Sequence, residues 1–375
     1  MIEIGKSKKD AAMNQDQVLG KAETLLTPTQ LRTLIKARAK EYLDWIRTNS
    51  PVDIPNDQRI LRGNYDFVFR DEYRHLNFHP AIMQQARDML AGLVDRQYHD
   101  ASPEIAVHDF VGHVASSQAL CWNLVLLMKK HDNFTPLFEV LSLALAEEGL
   151  ARDFDFGIET TVVLELNVGQ DLGEDEKAAT SIDLYLRTPQ GRVCAVEFKL
   201  TEPDFGRCKL PQDRNGKCNG DYGSPENVRA NDGYLCYLAM KGRRYWQLGG
   251  QYNLVNPTRV NKPCPMNRYY QALRNLMVAK KRSQESSHRD IRGILVLAAD
   301  TRNAAFWGTD SHFDAFKRYL ADVRGEHIPD VFRISIQDIV SRFSGSLSEY
   351  VYYFKLKYGF NPNMAYNAHK TREML

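Results

Sequence analysis

Two short apolar runs joined by a turn, residues 181–187 and 192–200, constrain this 375-residue chain more than any other feature. In both runs every second side chain is apolar, and the side chains between them are polar or small. The apolar residues are Ile182, Leu184 and Leu186 in the first run and Cys194, Val196, Phe198 and Leu200 in the second. Such alternation predicts strands, because successive side chains point to opposite faces. Since the sequence TPQGR at 188–192 is typical of a turn, we expect a β-hairpin.

The register of this hairpin decides where three charged side chains lie. Glu197 and Lys199 are two positions apart and therefore share a face. A three-residue loop at 189–191 sets Asp183 opposite Glu197, with Cβ atoms about 4.5–5.5 Å apart. A slip of one residue would send Asp183 to the other face. The apolar alternation favours the register that unites the three charged groups.

Two carboxylates at that distance repel each other unless a cation lies between them. Mg²⁺ prefers hard oxygen ligands and keeps several waters, so it suits Asp183 and Glu197, and Mn²⁺ can substitute for it. Such an ion can polarise a phosphoryl oxygen and lower the pKa of a bound water. Lys199 would position or deprotonate the attacking water. The competing explanation is a salt bridge on the protein surface.

The segments around the hairpin predict an α/β fold. Thr135-Pro136 begins a helix that runs to about residue 150. The other predicted elements are strands at 158–166, 291–299 and 331–336, an insertion at 201–265 with a short helix at 227–240, and helices at 266–283 and 337–343. This order predicts a mixed central sheet with helices on both faces.

At these residues the chain resembles the PD-(D/E)xK nuclease superfamily, whose fold is restriction-endonuclease-like. The resemblance makes Asp183 and Glu197 metal ligands, adds the carbonyl of Phe198 as a further ligand, and makes Lys199 the catalytic lysine. Ile182 stands where the superfamily has its proline, which binds no metal. The segment 113–123 is also similar to one in an uncharacterised group of restriction endonucleases. The activity implied is metal-dependent cleavage of DNA in restriction or phage defence.

Many members of this superfamily add a glutamate from the first core helix. Glu139, near the start of the helix from Thr135, is our first candidate, because a carboxylate is favoured near a helix N-terminus. The alternatives are Glu147 and Glu148 in the same helix and Glu165 on the first strand. In this fold the helix after the hairpin often carries a supporting Gln or Lys. Gln271 and Arg274, one turn apart, are the candidates for that role, and Gln271 is the one assigned to the site.

Four cysteines lie in or beside the insertion, at Cys208, Cys218, Cys236 and Cys264. Four thiols can hold Zn²⁺ or an iron–sulfur cluster. Their spacings are wide and contain no CxxC motif, so ordinary core thiols are the alternative.

The wider organisation is predicted as a mostly helical N-terminal region (1–130), a nuclease core (131–345) and a C-terminal extension (346–375). In the N-terminal region we expect four helices, at 31–47, at 80–94, beginning at 103 and at 116–128. We also expect a short strand at 67–69. Residues 1–26 show no clear pattern. The net charge is only +2, so a basic DNA-binding surface would be local, and residues 266–292 are rich in Lys and Arg.

No signal-peptide or transmembrane pattern is seen, which predicts a cytoplasmic protein with DNA as its partner and no membrane association. A homodimer would account for cleavage of both strands. The alternatives kept open are a structure-dependent repair or recombination nuclease, and a DNA-binding module that has lost catalysis.

Overall fold

The computed structural model describes residues 24–51, 54, 60–63, 67–91, 111–175, 179–210, 218, 220, 236–256, 263–286, 292–326 and 329–361. Most of the tail at 1–26, in which the sequence shows no clear pattern, lies outside these residues. The start of the helix expected from residue 103 also lies outside them. No helix in the described ranges is both long and apolar enough to cross a membrane.

The N-terminal region begins with two helices, α1 (Pro28–Ala37) and α2 (Ala39–Asn49). Thr27 caps α1 by accepting the N–H of Gln30, whose side chain bonds back to the cap. We predicted one helix over 31–47, and the structure breaks it at Arg38. Both helices bury one apolar face because their hydrophobic residues recur at helical spacing.

The remaining N-terminal elements are shorter than predicted. Residues 80–94 were expected to be one helix, but the described part is a 3₁₀ turn at Pro80–Ile82 followed by α3 (Met83–Leu90). The strand expected at 67–69 is only a pair of isolated bridges, Leu61 with Phe69 and Val68 with His113. A further 3₁₀ segment covers Asp71–Asn77.

Two helices precede the sheet, α4 (Ser117–Lys130) and α5 (Thr135–Ala146). Ser116 caps α4 by accepting the N–H of Ala119. Most of α4 is buried, and it packs against the hairpin strands. A helix that is apolar on nearly all sides is expected in the centre of a large core.

The sheet has the strands β1 (Thr161–Asn167), β2 (Ser181–Arg187), β3 (Val193–Lys199), β4 (Gly293–Ala299) and β5 (Val331–Ser335), in that spatial order. The first three strands pair antiparallel, and β3–β4 and β4–β5 pair parallel. The prediction of an α/β fold with a mixed sheet is therefore confirmed. The hairpin register is also confirmed, since Leu184 pairs with Val196 and Arg187 with Val193.

Both faces of this sheet are covered. Alternate side chains of β3, such as Cys194 and Val196, join an apolar layer with α1, α2, α4, α5 and the C-terminal helix. The others, such as Val193 and Ala195, join a second layer with the helix that follows the insertion. All seven residues of β3 are buried. The hairpin that carries the charged residues thus lies at the centre of the molecule.

The other helices complete these layers: α6 (Gly169–Leu172), α7 (Tyr237–Met240), α8 (Tyr245–Gln251), α9 (Tyr270–Ser286), α10 (Ala304–Trp307), α11 (His312–Arg324), α12 (Ile336–Ser341) and α13 (Val351–Tyr358). Short 3₁₀ segments lie at Pro265–Asn267 and Gly345–Tyr350. Of the helix predicted at 227–240, residues 227–235 lie outside the described ranges. Residues from all three predicted regions contribute to the first apolar layer, and the domain boundaries stay a prediction.

Candidate active site

The candidate site begins where the β2–β3 ladder ends. The paired residues run from Arg187–Val193 to Leu184–Val196. Beyond this last pair, the backbone N–H of Phe198 donates to Oδ2 of Asp183 at 2.8 Å. The Asp183 side chain therefore takes the place of a main-chain acceptor on β2. This fixes its carboxylate beside the segment that carries Glu197 and Lys199.

Glu197 and Lys199 form an ion pair, with Nζ 2.9 Å from Oε1. Their side chains are only 5% and 4% exposed. The alternative of a surface salt bridge is therefore wrong. Charges in such a place require further polar partners, because an incompletely bonded buried pair is costly.

Helix α9 provides those partners. Asn275 donates to Oε2 of Glu197 at 2.7 Å, and Gln271 accepts from Nζ of Lys199 at 2.8 Å. The two residues are four apart and so lie on one face of the helix. The structure thus brings the predicted Gln271 to the lysine. Asn275 was not predicted, although the same spacing from Gln271 would have identified it.

A third carboxylate, Glu165, comes from β1. It is buried, and it has the left-handed backbone conformation, with φ of 52°. The β1–β2 ladder passes from Leu164–Leu184 to Leu166–Ile182 without pairing this position. A glutamate in this conformation is strained, and such strain concentrates at functional sites.

Helix α4 and the start of β2 hold the Glu165 carboxylate. Nε1 of Trp122 donates to Oε1 at 3.0 Å, and the hydroxyl of Ser181 donates to Oε2 at 3.3 Å. Gln118 is also hydrogen-bonded to it. Both helical residues lie in the segment 113–123 that carried part of the family resemblance. Their four-residue spacing was the available signal for a polar face on an otherwise apolar helix.

The three carboxylates perturb one another. Burial, followed by the charges of Glu197 and Glu165, raises the pKa of Asp183 well above its usual value. Burial raises the pKa of Glu165 to about 7, with the charge of Glu197 adding to the effect and hydrogen bonds from Gln118 and Trp122 opposing it. A nearby cation would favour the ionised forms of these carboxylates.

Lys199 only partly compensates this charge. Burial lowers the pKa of its ammonium group, but the charges of Glu197, Glu202 and Asp183 more than offset that effect and raise the pKa. Lys199 is therefore protonated at neutral pH. This state suits the predicted role of positioning the attacking water, and the predicted role as a base stays a prediction.

The structure does not bring Glu139 to this group. Glu139 lines a cavity of about 640 Å³ and lies 3.6 Å from Arg342, with its side chain more than half exposed. In the same helix region, Glu148 pairs with Lys317 at 3.3 Å. Arg274, one turn from Gln271, pairs with Glu174 at 3.2 Å and does not join the candidate site. Helix α5 packs against β5 and α12, which explains why its glutamates do not reach the hairpin.

The donor set fits a hard divalent cation. Within the described ranges, no three His, Cys, Asp or Glu side chains are arranged as a ready-made metal site. Mg²⁺ does not require one, because it is commonly held by one or two carboxylates together with waters and substrate phosphates. Asp183 and Glu197 provide such a pair, and their mutual repulsion would be relieved by the ion.

Comparisons with known proteins agree with this site and fold. A family model described as Restriction Endonuclease associating with ARP (REase-ARP) matches residues 62–359, which include every residue of the site. Comparison with curated proteins and with solved structures found no match. The five-stranded mixed sheet with helices on both faces is the expected restriction-endonuclease-like core. The chain belongs to the REase-ARP family of restriction endonuclease-related proteins.

Proposed function

We propose that the protein is a metal-dependent endonuclease that hydrolyses DNA phosphodiester bonds. The observation that carries this proposal is the buried Glu197–Lys199 pair, with Asp183 beside it and α9 holding both partners. Membership of the REase-ARP family supports a nuclease role. Two buried carboxylates, a half-buried third one and a buried lysine at a strand end are costly for stability and therefore need a functional explanation.

Asp183, Glu197 and the carbonyl of Phe198 are the proposed ligands of Mg²⁺. When bound, the ion supplies Lewis acidity towards a phosphoryl oxygen and a bound water of lowered pKa. The side chains around it have separate tasks. Asn275 orients one oxygen of Glu197, and the N–H of Phe198 orients one oxygen of Asp183. Both carboxylates are thereby held before substrate arrives.

Lys199 provides the positive charge for the transition state. Its ammonium group is held between Oε1 of Glu197 and the carbonyl oxygen of Gln271. A protonated amine in this position stabilises charge that accumulates on the phosphorane oxygens and orients the attacking water. Burial strengthens the effect, because an electrostatic interaction is larger where water is excluded.

Restriction or phage defence is the proposed biological role, on the basis of the family. The proposed partner is DNA, bound by a homodimer when both strands are cut, and the proposed location is the cytoplasm. The intact Asp183, Glu197 and Lys199 favour an active enzyme over a DNA-binding module without catalysis.

Incubation of the purified protein with supercoiled plasmid tests the proposal. We expect nicked or linear products with Mg²⁺ or Mn²⁺, none with EDTA, and little product from Lys199→Met under any condition. Linear product formed directly would indicate paired active sites, and accumulation of nicked circles would indicate single-strand cutting. Cleavage unaffected by EDTA, or retained by Lys199→Met, would overturn the proposed chemistry.

A further inference from the structure

The four cysteines in or beside the insertion are not grouped as a metal site. Cys208, Cys236 and Cys264 are buried, and Cys218 is half-buried. Among the described residues, no group of three His, Cys, Asp or Glu side chains is arranged to hold a metal ion. As the structure gives them, these four thiols do not fit a zinc or iron–sulfur centre.

The basic stretch at 266–292, which the sequence offers as a DNA-binding surface, is largely neutralised by ion pairs. Five of its basic side chains pair with carboxylates from other segments. The pairs are Arg274 with Glu174, Lys280 with Asp330, Lys281 and Arg282 with Asp171, and Arg292 with Asp153. Since paired charges add little to the attraction of a phosphate backbone, a phosphate-binding surface needs basic side chains elsewhere on the molecule.

Helix α1 is fixed at the end of the sheet where the candidate site lies. Lys199 is the last residue of β3 and pairs with Ala299 of the parallel strand β4, so the segments that follow both strands leave the same edge. Just before α1, the N–H of Leu26 donates to the carbonyl of Arg302 at 2.7 Å, and the N–H of Ala304 donates to the carbonyl of Leu26 at 2.9 Å. The start of α1 is thereby joined to the segment that follows β4.

Arg32 of α1 reaches the segment that follows β3. Its Nε donates to Oγ1 of Thr201 at 3.4 Å, and its Nη2 donates to the carbonyl of Thr201 at 3.3 Å. Thr201 is two residues beyond Lys199. Arg32 is exposed, and it pairs with no carboxylate in the described part of the chain. Its guanidinium group therefore carries an uncompensated charge beside the candidate site, with further N–H groups that can bond an anion.

Lys36 lies one turn further along α1, on the same side of the helix as Arg32. Its Nζ is 3.7 Å from the ring centroid of Phe67, and that ring is 5.2 Å from the ring of His113. Burial, followed by the charges of Lys36 and Arg32, lowers the pKa of His113 to about 4. The ring is therefore neutral at pH 7. Because Nδ1 accepts the N–H of Ala115 at 3.0 Å, the ring proton is on Nε2, which is a donor.

His113 connects this pair of cations to a second segment of the candidate site. It lies three residues before Ser116, the cap of α4, and α4 holds the carboxylate of Glu165. The cationic pair thus adjoins two segments that lead into the site, one at Thr201 and the other at His113. Two cations and a neutral donor in this place are complementary to an anion that approaches the site from solvent.

We propose that Arg32 and Lys36 bind a phosphate of the DNA backbone beside the scissile one, with Nε2 of His113 as a third donor. The proposal rests on the nuclease function proposed above and names the surface that holds its substrate. Guanidinium and ammonium groups both suit phosphate, because they donate charge-assisted hydrogen bonds. A contact to the backbone carries no sequence information, so the pair positions DNA of any sequence. Helix α1 precedes residues 62–359, so this surface lies outside what the family model matches.

The test measures the affinity of the full-length protein for duplex DNA in EDTA, over a series of salt concentrations and with two duplexes of unrelated sequence. Lys36→Gln and Arg32→Gln should each weaken binding by about 10-fold, equally for both duplexes. Each should also reduce the slope of log K against log salt by about one. Arg187→Gln is the matched control and should bind like the wild type, because Arg187 ends β2 at the opposite end of the hairpin from Lys199.

Cleavage kinetics with Mg²⁺ give a second readout, which poor folding would not reproduce. Lys36→Gln should need about 10-fold more DNA for its half-maximal rate and keep the wild-type rate at saturating DNA. The reason is that it loses a binding contact and no group that acts on the reacting atoms. Lys36→Arg keeps the positive charge and should retain wild-type affinity and salt dependence.

Three outcomes would overturn the inference. The first is wild-type affinity and salt slope in both Arg32→Gln and Lys36→Gln; plasmid cleavage by the same preparations would then show that the nuclease function stands without this surface. The second is an equal loss of binding in Lys36→Arg and Lys36→Gln, because charge would not be its cause. The third is wild-type protein that neither binds nor cleaves DNA, which would overturn the proposed function as well.

Discussion

The side-chain carbonyl of Gln271 accepts a hydrogen bond from Nζ of Lys199 at 2.8 Å, and this contact links α9 to β3. The lysine is buried and has Glu197 as its other partner. Gln271 therefore sets the direction of the ammonium group without touching the scissile phosphate itself. It acts as a positioning residue in the proposed mechanism.

Loss of that acceptor should slow cleavage without abolishing it. We expect Gln271→Ala to reduce the rate by about 10- to 100-fold, as is typical when a group that orients an active-site residue is removed. Gln271→Glu keeps an acceptor at the same place and should recover much of the rate. Single-turnover plasmid cleavage at saturating DNA measures this, and an unchanged rate for Gln271→Ala would refute the positioning role.

The three hairpin residues should behave as one unit. Asp183→Asn, Glu197→Gln and Lys199→Met should each remove most of the cleavage, and double variants should lose little more. DNA binding should persist, because phosphate contacts elsewhere supply most of the affinity. Gel-shift and cleavage assays on the same preparations measure both quantities. Additive losses in the double variants would mean that the residues act independently.

Glu165 and Glu139 allow a direct comparison between two carboxylates. Glu165 lies within electrostatic range of Asp183, and Glu139 lies beside Arg342. Glu165→Gln should therefore reduce cleavage strongly, by at least about 100-fold if it acts on metal or water, the size expected for one preorganised group. Glu139→Gln should cleave like the wild type. The reverse result would restore Glu139 as the helix glutamate of the site.

The contact between β4 and α9 has no space for another atom. A Cβ at Gly293 would overlap the backbone of Ala279 and Lys280 in α9. Gly293→Ala should force the helix and strand apart and lower the free energy of unfolding by about 1–3 kcal/mol or more. Because α9 carries Gln271 and Asn275, cleavage should fall as well.

Gly325→Ala is the matched control, at the C-terminal end of α11. The added Cβ meets no other atom, but the φ of 75° at this position disfavours alanine. It should cost stability and leave the cleavage rate of the folded protein unchanged.

Lys357 should make stability depend on pH. It is fully buried, donates to Asn77 O and Tyr353 Oη, and has its pKa lowered well below the usual value by burial. Its amine is therefore neutral in the folded protein at pH values where the unfolded chain binds a proton. Stability should rise with pH from the folded pKa up to the ordinary lysine pKa, by at most about 1.4 kcal/mol per unit.

Lys357→Met should remove that dependence. Asn123 and Tyr353 also donate to the Asn77 carbonyl, at 3.2 and 3.4 Å, so the substitution leaves that oxygen bonded. Urea denaturation of both proteins at several pH values from 7 to 10 gives the difference. If the difference in free energy of unfolding between wild type and variant stays constant with pH, Lys357 is charged in the folded state.

The alternation of apolar residues along 181–200, with its turn, determined the hairpin and its register, and so placed Asp183 opposite Glu197. The hairpin and its register are local properties, since period-two alternation and turn length act over a few residues. Gln271 was predicted from the family resemblance, in which the helix after the hairpin carries a supporting Gln or Lys, and not from a local pattern. Local pattern also predicted a buried strand at 291–299 and a further strand at 331–336.

Only the tertiary structure decided which distant groups join the hairpin. Glu139 was the first candidate from the sequence, and Glu147, Glu148 and Glu165 were the alternatives, because a helix dipole or a strand pattern does not state which face meets the site. The structure places Glu165, held by the donors Trp122 and Ser181, within electrostatic range of Asp183, and it places Glu139 beside Arg342. Contacts between segments tens of residues apart depend on how the layers pack and not on local pattern.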